Sequence, residues 1–142
     1  MIANIIKEGR IVPGEVTIQL LKQAILEYPD SENSTFLIDG FPREMKQALD
    51  FERLVSPCTY VLFFDCPLNV LEARLLERGK TSGRSDDNIE SIKKRFVTFQ
   101  QQSLPVIEYF SALGKVEKLD SSKSIDQVFE DAQALHEKYF SK

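Results

Sequence analysis

The sequence contains few of the residues on which metalloenzymes and membrane proteins depend. Among 142 residues there is one histidine, His136, and there are two cysteines, Cys58 and Cys66, which do not form a CxxC pair. These residues provide no zinc cluster and no obvious Ser-His or Cys-His catalytic pair. Two thiols without a disulfide framework favour a reducing compartment, the cytosol or the nucleus. The longest apolar run, residues 60–64, is far too short to span a membrane.

Composition predicts one soluble globular domain over residues 1–142. The chain is 42% hydrophobic and 28% charged, and its net charge is −4. A chain of this length buries roughly two thirds of its unfolded surface, which is enough for one core. The acidic balance argues against a nucleic-acid partner. No signal peptide is expected at Met1, because the first residues lack a basic region and a small-residue cleavage site.

The chain has no phosphate loop of the GxxxxGK[ST] kind. Gly79, Lys80 and Thr81 resemble the end of that motif, but Arg74 stands where its first glycine is required. A predicted helix also precedes them, where the motif needs a strand. We therefore conclude that this tripeptide is not part of a phosphate loop of that kind.

Hydrophobic periodicity predicts helices alternating with three strands, which implies an α/β fold with a parallel sheet and right-handed crossovers. The expected helices cover residues 1–8, 14–28, 44–54 and 67–78, a long stretch from Asn88, and a last helix from Ser124 capped with Gln127. The expected strands cover residues 35–39, 59–65 and 115–119. Residues 79–87 are predicted to be a loop, Asp87 and Glu90 resemble a capping box, and Pro105 should kink the long helix.

An acid, a glycine, a proline and an arginine follow the first predicted strand, in the order Asp39, Gly40, Phe41, Pro42 and Arg43. In open α/β sheets, ligands bind at the carboxyl ends of the strands. By itself the segment could be a turn that carries a surface arginine. Together with the basic residues that follow in the chain, it favours a phosphate site.

A basic segment lies between Arg74 and Arg95 in an otherwise acidic chain. Arg74 and Arg78 are four residues apart and share a helix face, Arg84 lies in the predicted loop, and Arg95 lies on the next helix. The guanidinium group donates a fixed fork of hydrogen bonds that suits phosphate oxygens. Seven basic residues could also form an ordinary solvated face. Since Arg78 and Arg84 flank a loop, convergence on one polyanion is the better interpretation.

With these motifs the chain resembles the nucleoside monophosphate kinase family, which includes the adenylate kinases, and is most similar to its UMP/CMP kinase branch. The sequence DGFPR at residues 39–43 resembles the monophosphate motif, and residues 77–88 resemble the short lid of that branch. Residues 8–13 with Glu15 and Thr17 resemble the segment that lines the nucleobase pocket. The resemblance covers nearly the whole chain. It implies a P-loop kinase-like, three-layer α/β/α fold with a parallel sheet.

The resemblance also implies a site for the acceptor nucleotide. Residues 1–28 would be the monophosphate-binding part, Arg43 would hold the phosphate, and Gln47 would read the base beside the backbone of residues 10–12. The residues implied to bind the nucleoside monophosphate are Arg10, Ile11, Val12, Gly40, Phe41, Pro42, Arg43, Gln47, Arg84 and Arg95.

The donor side of the site is implied in the same way. Arg74 would stack on the adenine of ATP, the backbone of Lys123 would meet that base, and Arg78 would contact the transferred phosphoryl group. The implied catalytic residues, grouped in or beside a lid at residues 78–87, are Arg78, Arg84, Arg95, Asp86 and Asp87. Magnesium would accompany ATP, with Asp39 positioning it through water. Phosphoryl transfer needs placement and charge neutralisation more than a nucleophile, which agrees with this residue set.

The family pattern includes a first strand, a phosphate loop, a helix and a second strand that this sequence does not contain. From the resemblance we expect ATP-dependent phosphorylation of UMP and CMP, with AMP a weaker acceptor, in pyrimidine nucleotide metabolism. The complete enzyme is expected to be a monomer, and the isolated chain is expected to be inactive. The alternatives are a catalytically dead nucleotide-binding or regulatory remnant and a basic-patch nucleic-acid binder. The acidic total and the lack of aromatic platforms argue against the last.

Overall fold

The computed structural model describes residues 2–140 and folds them into helices around a two-stranded sheet. The helices are α1 Ile2–Lys7, α2 Gly14–Glu27, α3 Met45–Leu54, α4 Leu68–Ser82, α5 Ile89–Thr98, α6 Leu104–Ala112 and α7 Ile125–Phe140, and the strands are β1 Val61–Asp65 and β2 Val116–Asp120. A 3-10 turn covers Ser31–Asn33 and a π-helical turn covers Phe99–Ser103. The predicted mixed α/β class is confirmed.

The sheet is parallel, and helices cover both of its faces. The register pairs Val61 with Val116 and continues to Asp65 with Asp120. Val61 and Val116 pack against the core that includes Phe110 of α6. Successive side chains of a strand point to opposite faces, so Glu117 points away from α6; it accepts hydrogen bonds from α7. The result is the predicted α/β/α layering.

The prediction of a strand over residues 35–39 is wrong. Exposure alternates along this segment, with Leu37 77% exposed and Phe36 partly buried, as in an extended chain. Within residues 2–140, however, β1 and β2 pair only with each other. A strand requires a neighbour to complete its hydrogen-bond ladder, and this segment has none among the described residues.

The loop predicted over residues 79–87 is shorter than expected. Helix α4 continues to Ser82 and ends at Gly83, whose φ of +67° is the left-handed conformation that glycine favours at a helix end. Gly79 lies inside the helix. A Cβ atom at Gly79 would lie 2.5 Å from the carbonyl oxygen of Asp87, so this glycine permits a close approach of backbones. Sequence reasoning mistook a packing glycine for a loop glycine.

The long helix begins with a cap one residue later than predicted. Asn88, not Asp87, accepts a hydrogen bond from the backbone N–H of Ser91, because the carboxylate of Asp87 is held by Arg78. Where a kink was predicted at Pro105, the structure has the π-helical turn Phe99–Ser103 directly before α6. Proline has no N–H to donate, so the regular i to i−4 pattern cannot continue there.

The remaining element predictions agree with the structure to within a few residues. Gly9 ends α1 with a φ of +71°, and Met1 lies outside the described residues. Ser124 and Gln127 form the predicted reciprocal cap of α7. Among residues 2–140, no helix has the length and apolar character needed to cross a bilayer.

Candidate nucleotide site

The turn that carries Arg43 is held by side chains from two other elements. The backbone N–H of Arg43 donates to Oε1 of Gln47 at 2.9 Å, and its carbonyl accepts from Oγ of Ser103 at 2.6 Å. Its Nε donates to the carbonyl of Gly40 at 2.6 Å, and Gly40 has a φ of +71°. A Cβ atom at Gly40 would lie 3.0 Å from Nη2 of Arg43. The guanidinium is thereby folded back over its own turn, and its Nη groups have no hydrogen-bond partner among residues 2–140.

Gln47 connects this turn to the backbone that precedes α2. Its side chain is 3% exposed, and Nε2 donates to the carbonyl of Val12 at 3.3 Å. A Cβ atom at Gly14 would lie 2.9 Å from Cγ of Gln47, so the absence of a side chain there leaves room for the amide. The structure thus brings together the two parts of the chain predicted to recognise the nucleobase.

Arg10 and Ile11 lie in the link between α1 and α2. The side chain of Arg10 is 61% exposed and pairs with Glu8 at 2.6 Å. The start of the link packs closely against the backbone of α5 at Gly9. A Cβ atom at this position would lie only 2.9 Å from the backbone nitrogen of Arg95. The Oγ of Ser91 donates to the carbonyl of Lys7 at 3.1 Å, which closes the same contact.

Arg78 and Asp87 join the end of α4 to the start of α5. The guanidinium donates to both carboxylate oxygens of Asp87, and Oγ of Ser82 donates to Oδ2 at 2.8 Å. The side chain of Asp87 is fully enclosed, whereas that of Arg78 is 43% exposed. The hydrogen bonds from Arg78 lower the pKa of Asp87 to about 2. The carboxylate is therefore charged at neutral pH and acts as a fixed partner for Arg78.

Asp86 holds the other two arginines of the lid region. Nε and Nη2 of Arg84 donate to its carboxylate at 3.0 and 3.1 Å, and Nη1 of Arg95 lies 3.0 Å from Oδ2. Asp86 is 2% exposed. Burial alone would raise the pKa of Asp86, but the hydrogen bonds from Arg84 and the charge of Arg95 outweigh it and lower the pKa.

Arg95 is the most enclosed of these arginines and is not fully satisfied. Its Nη1 is close to Asp86, but it lacks the alignment of a hydrogen bond and is left buried without a partner among the described residues. Burial lowers the pKa of Arg95, and the positive charges of Arg43, Arg84 and Arg78 lower it further, against the opposing effect of Asp86. The guanidinium groups of three other arginines thus act on Arg95, and two carboxylates, Asp86 and Asp87, balance the four positive charges. Such a cluster suits an added dianion.

The predicted donor residues form a separate contact. Arg74 donates from Nη1 to the carbonyl of Ser121 at 2.6 Å, and from Nη2 to the carbonyls of Ser122 and Lys123 at 3.3 and 3.2 Å. Its guanidinium therefore caps the turn after β2. Nζ of Lys123 pairs with Asp131 at 2.9 Å, so the backbone of Lys123, and not its ammonium group, lies beside Arg74.

The site offers little to a metal ion on its own. Asp39 is exposed beside Gly40, while Asp86 and Asp87 are occupied by arginines. Within residues 2–140, no three His, Cys, Asp or Glu side chains are grouped so that they could hold a metal. A divalent ion would have to obtain most of its ligands from a bound nucleotide and water. The exposed Asp39 could contact such an ion through a water molecule.

Sequence reasoning missed several residues that shape the site. Ser103 and Ser82 were not among the predicted site residues. Gly9 was placed in the segment that resembles the nucleobase-pocket lining and Gly79 in a loop, and neither was predicted to make a close backbone contact. The only available signal was the position of Ser103 two residues before Pro105, where a π-helical turn redirects side chains. The partners of these residues are distant in sequence or depend on backbone packing, so a local pattern does not reveal them.

The structure therefore groups arginines around two carboxylates on an α/β fold, and guanidinium groups suit anions such as phosphate. A family model described as adenylate kinase matches residues 1–115. Uridylate kinase of Saccharomyces cerevisiae is 55% identical over 133 residues, which cover 94% of this chain and 65% of that protein. The chain belongs to the adenylate kinase family, and the predicted resemblance is confirmed.

Other relatives carry similar names. UMP-CMP kinase 3 of Oryza sativa subsp. japonica is 52% identical over 141 residues, covering 98% of this chain and 64% of that protein. UMP-CMP kinase of Homo sapiens is 43% identical over 143 residues, covering 97% of this chain and 73% of that protein. The chain thus spans less than two thirds of the length of the first two of these relatives and somewhat more of the third.

Proposed function

We propose that this chain provides the acceptor site and lid of an ATP-dependent nucleoside monophosphate kinase that acts on UMP and CMP. The observation that carries the proposal is the cluster around Arg95, in which Arg43, Arg78 and Arg84 raise the local positive charge. Asp86 and Asp87 hold three of these groups in place. The names of the relatives support the choice of substrates, and the proposed setting is pyrimidine nucleotide metabolism in the cytosol and the nucleus.

The proposed chemistry needs no covalent intermediate on the protein. Arg43 binds the acceptor phosphate, while Arg78, Arg84 and Arg95 neutralise the charge that spreads over the phosphoryl oxygens during transfer. ATP would bring Mg²⁺ as part of the donor substrate, and the ion would supply positive charge at the donor phosphates, with Asp39 the residue placed to contact it through water. Arg74 and the backbone of Lys123 contact the donor base. Closing the segment around Gly83 excludes water, which favours transfer over hydrolysis.

The proposed base selection rests on Gln47 and the link that ends in Val12. An amide both donates and accepts, so it can pair with the edge of uracil or cytosine and, less well, with adenine. Gln47 is well placed for this role because Arg43 and Val12 already fix the orientation of its amide. We therefore expect UMP and CMP to be preferred, with AMP a weaker acceptor.

Calorimetric titration of the chain with UMP, CMP, AMP and uridine tests the proposal. UMP and CMP should bind most tightly, AMP more weakly, and uridine far more weakly because it lacks the phosphate that the arginines bind. Lack of UMP binding, or equal binding of UMP and uridine, would overturn the assignment of the acceptor site.

Turnover is the second part of the test. Because the 142 residues contain no GxxxxGK[ST] motif, a coupled assay compares the chain with a version extended by the N-terminal segment of the Saccharomyces cerevisiae uridylate kinase. We expect ATP-dependent UMP phosphorylation in the extended form and none in the chain alone. If UMP binds but neither form turns over, the nucleotide-binding remnant without catalysis is the better description.

A further inference from the structure

Ser103 lies at a break in the helix that also carries Arg95. It is the last residue of the π-helical turn Phe99–Ser103, directly before α6, and it is partly buried. Pro105 stands in the first turn of α6 and cannot donate an N–H to the preceding turn. The widened turn changes the direction of the side chains relative to a regular α-helix, and π-helical turns occur frequently at functional sites.

The hydroxyl of Ser103 reaches a residue 60 positions away in sequence. Its Oγ donates to the carbonyl of Arg43 at 2.6 Å, while the N–H of Arg43 donates to Gln47. Arg43 lies in the irregular segment between the 3-10 turn Ser31–Asn33 and α3, so neither its N–H nor its carbonyl has a partner from regular secondary structure. The side chains of Gln47 and Ser103 therefore fix the N–H and the carbonyl of Arg43, and with them the backbone position of its side chain.

This contact links two positive groups that repel each other. Arg95 lies on α5, which runs directly into the π-helical turn, and the charge of Arg43 acts on Arg95. Without a constraint, the Arg43 turn would be free to move away from α5 and relieve the repulsion. A fixed separation keeps both guanidinium groups ready for one phosphate, so less freedom is lost when the ligand binds.

We propose that Ser103 is a positioning residue that holds Arg43 against the helix of Arg95 for binding of the acceptor phosphate. The inference deepens the proposed function and rests on it. Ser103 acts only through the backbone of Arg43 and does not itself contact the nucleotide.

Titration with UMP of three variants tests the inference. Ser103→Ala should weaken UMP binding about three- to tenfold, the range expected for one hydrogen bond, and Ser103→Thr should restore it. Ser34→Ala is the matched control, since the hydroxyl of Ser34 also donates to a carbonyl, at 2.9 Å, but to that of Asp30, only four residues earlier in the chain. That variant should bind UMP as the wild-type chain does.

A double-mutant cycle with Arg43→Ala separates positioning from general destabilisation. In the Arg43→Ala background there is no guanidinium to position, so adding Ser103→Ala should leave UMP affinity unchanged. Equal losses in both backgrounds, or no loss in a chain that binds UMP normally, would overturn the inference alone. Failure of the wild-type chain to bind UMP would overturn the proposed function together with it.

Discussion

Arg78 donates hydrogen bonds to both carboxylate oxygens of Asp87, and this pair connects the last turns of α4 to the start of α5. Gly79 makes the pairing possible, because the helix can approach the backbone of Asp87 only where no side chain intervenes. The pair and the glycine together fix the position from which Arg78 reaches into the arginine cluster.

The first prediction follows from the pKa of Asp87. Its pKa falls from 3.8 to about 2, mainly because Arg78 donates hydrogen bonds to the ionised form. A lowered carboxyl pKa stabilises the fold above the unfolded value, and that contribution is lost as the pH falls through the folded value. The melting temperature of Asp87→Asn should therefore lie below that of the wild-type chain at neutral pH, and the two should converge between pH 4 and 2.

Glu32→Gln is the control for this experiment. Glu32 is exposed and forms no ion pair among the residues that the structure describes. Its melting temperature should follow that of the wild-type chain over the same pH range. A difference between Asp87→Asn and wild type that does not shrink on acidification would contradict the assignment.

The second prediction concerns Gly79. In an ordinary helix interior, replacing glycine by alanine stabilises the fold by roughly 1 kcal/mol. At Gly79 the added Cβ would lie 2.5 Å from the carbonyl oxygen of Asp87, which requires a backbone shift. We expect Gly79→Ala to destabilise the chain by about 1–3 kcal/mol in denaturant unfolding.

Thr81→Ala is the matched control in the same helix. Thr81 is exposed, so its replacement should change the free energy of unfolding by no more than about 0.5 kcal/mol. If Gly79→Ala stabilises the chain, the close approach of α4 to Asp87 does not exist in solution.

The third prediction concerns Arg43. Its guanidinium makes one hydrogen bond, to the neighbouring carbonyl of Gly40, and carries no buried packing. Arg43→Ala should weaken UMP binding by about 1.5–3 kcal/mol, the value of a charge-assisted hydrogen bond. Helix content, measured by far-ultraviolet circular dichroism, should not change.

Arg53→Ala is its control, because Arg53 is a 68% exposed arginine that pairs with Asp50 on the same helix. Its loss removes one positive charge without touching the arginine cluster. An equal loss of UMP affinity in both variants would show that Arg43 contributes only net charge.

The fourth prediction concerns Gln47. Gln47→Leu keeps the approximate volume but removes the hydrogen bonds to Arg43 and Val12. We expect a loss of about 1–3 kcal/mol in stability, because Gln47 is buried and its partners lose a bond. The preference for UMP and CMP over AMP should disappear in Gln47→Leu. Titration at a temperature where both the variant and the wild-type chain are folded measures this preference.

Gln47→Glu refines the same test. A carboxylate still accepts from the N–H of Arg43 but cannot donate to the carbonyl of Val12. It should therefore retain the Arg43 turn while losing base preference. Unchanged affinity ratios in both variants, or a strict preference of the wild-type chain for AMP, would show that Gln47 does not select the base.

The helices and two of the three strands were predictable because their signals are local. Local sequence alone reveals three of these features: the apolar run of β1, the apolar stripe of α2 and the helix cap at Ser124. Residues 35–39 carry the same kind of signal, yet they form no strand. A strand depends on a neighbour in space, and local pattern does not report whether one is present.

For the candidate site, residue type and order predicted the roles of Arg43, Arg84 and Arg95, because guanidinium groups suit phosphate oxygens. Their binding of phosphate stays a prediction, whereas their positions in the fold are described by the structure. Which carboxylate holds which arginine was not predictable: Asp86 binds Arg84 and Arg95, while the adjacent Asp87 binds Arg78. The side chains of Asp86 and Asp87 point in different directions. Only the packing of α4 against α5 determines which arginine each carboxylate meets.

The amino-acid sequence by itself therefore determined the α/β class, the family and the set of charged residues, because periodicity and residue chemistry are properties of the chain. Tertiary structure alone decided that Ser103 meets Arg43 across 60 residues and that Gly79 is a contact and not a loop. Those facts depend on distances between segments that are remote in sequence, and the folded packing of the whole domain sets these distances.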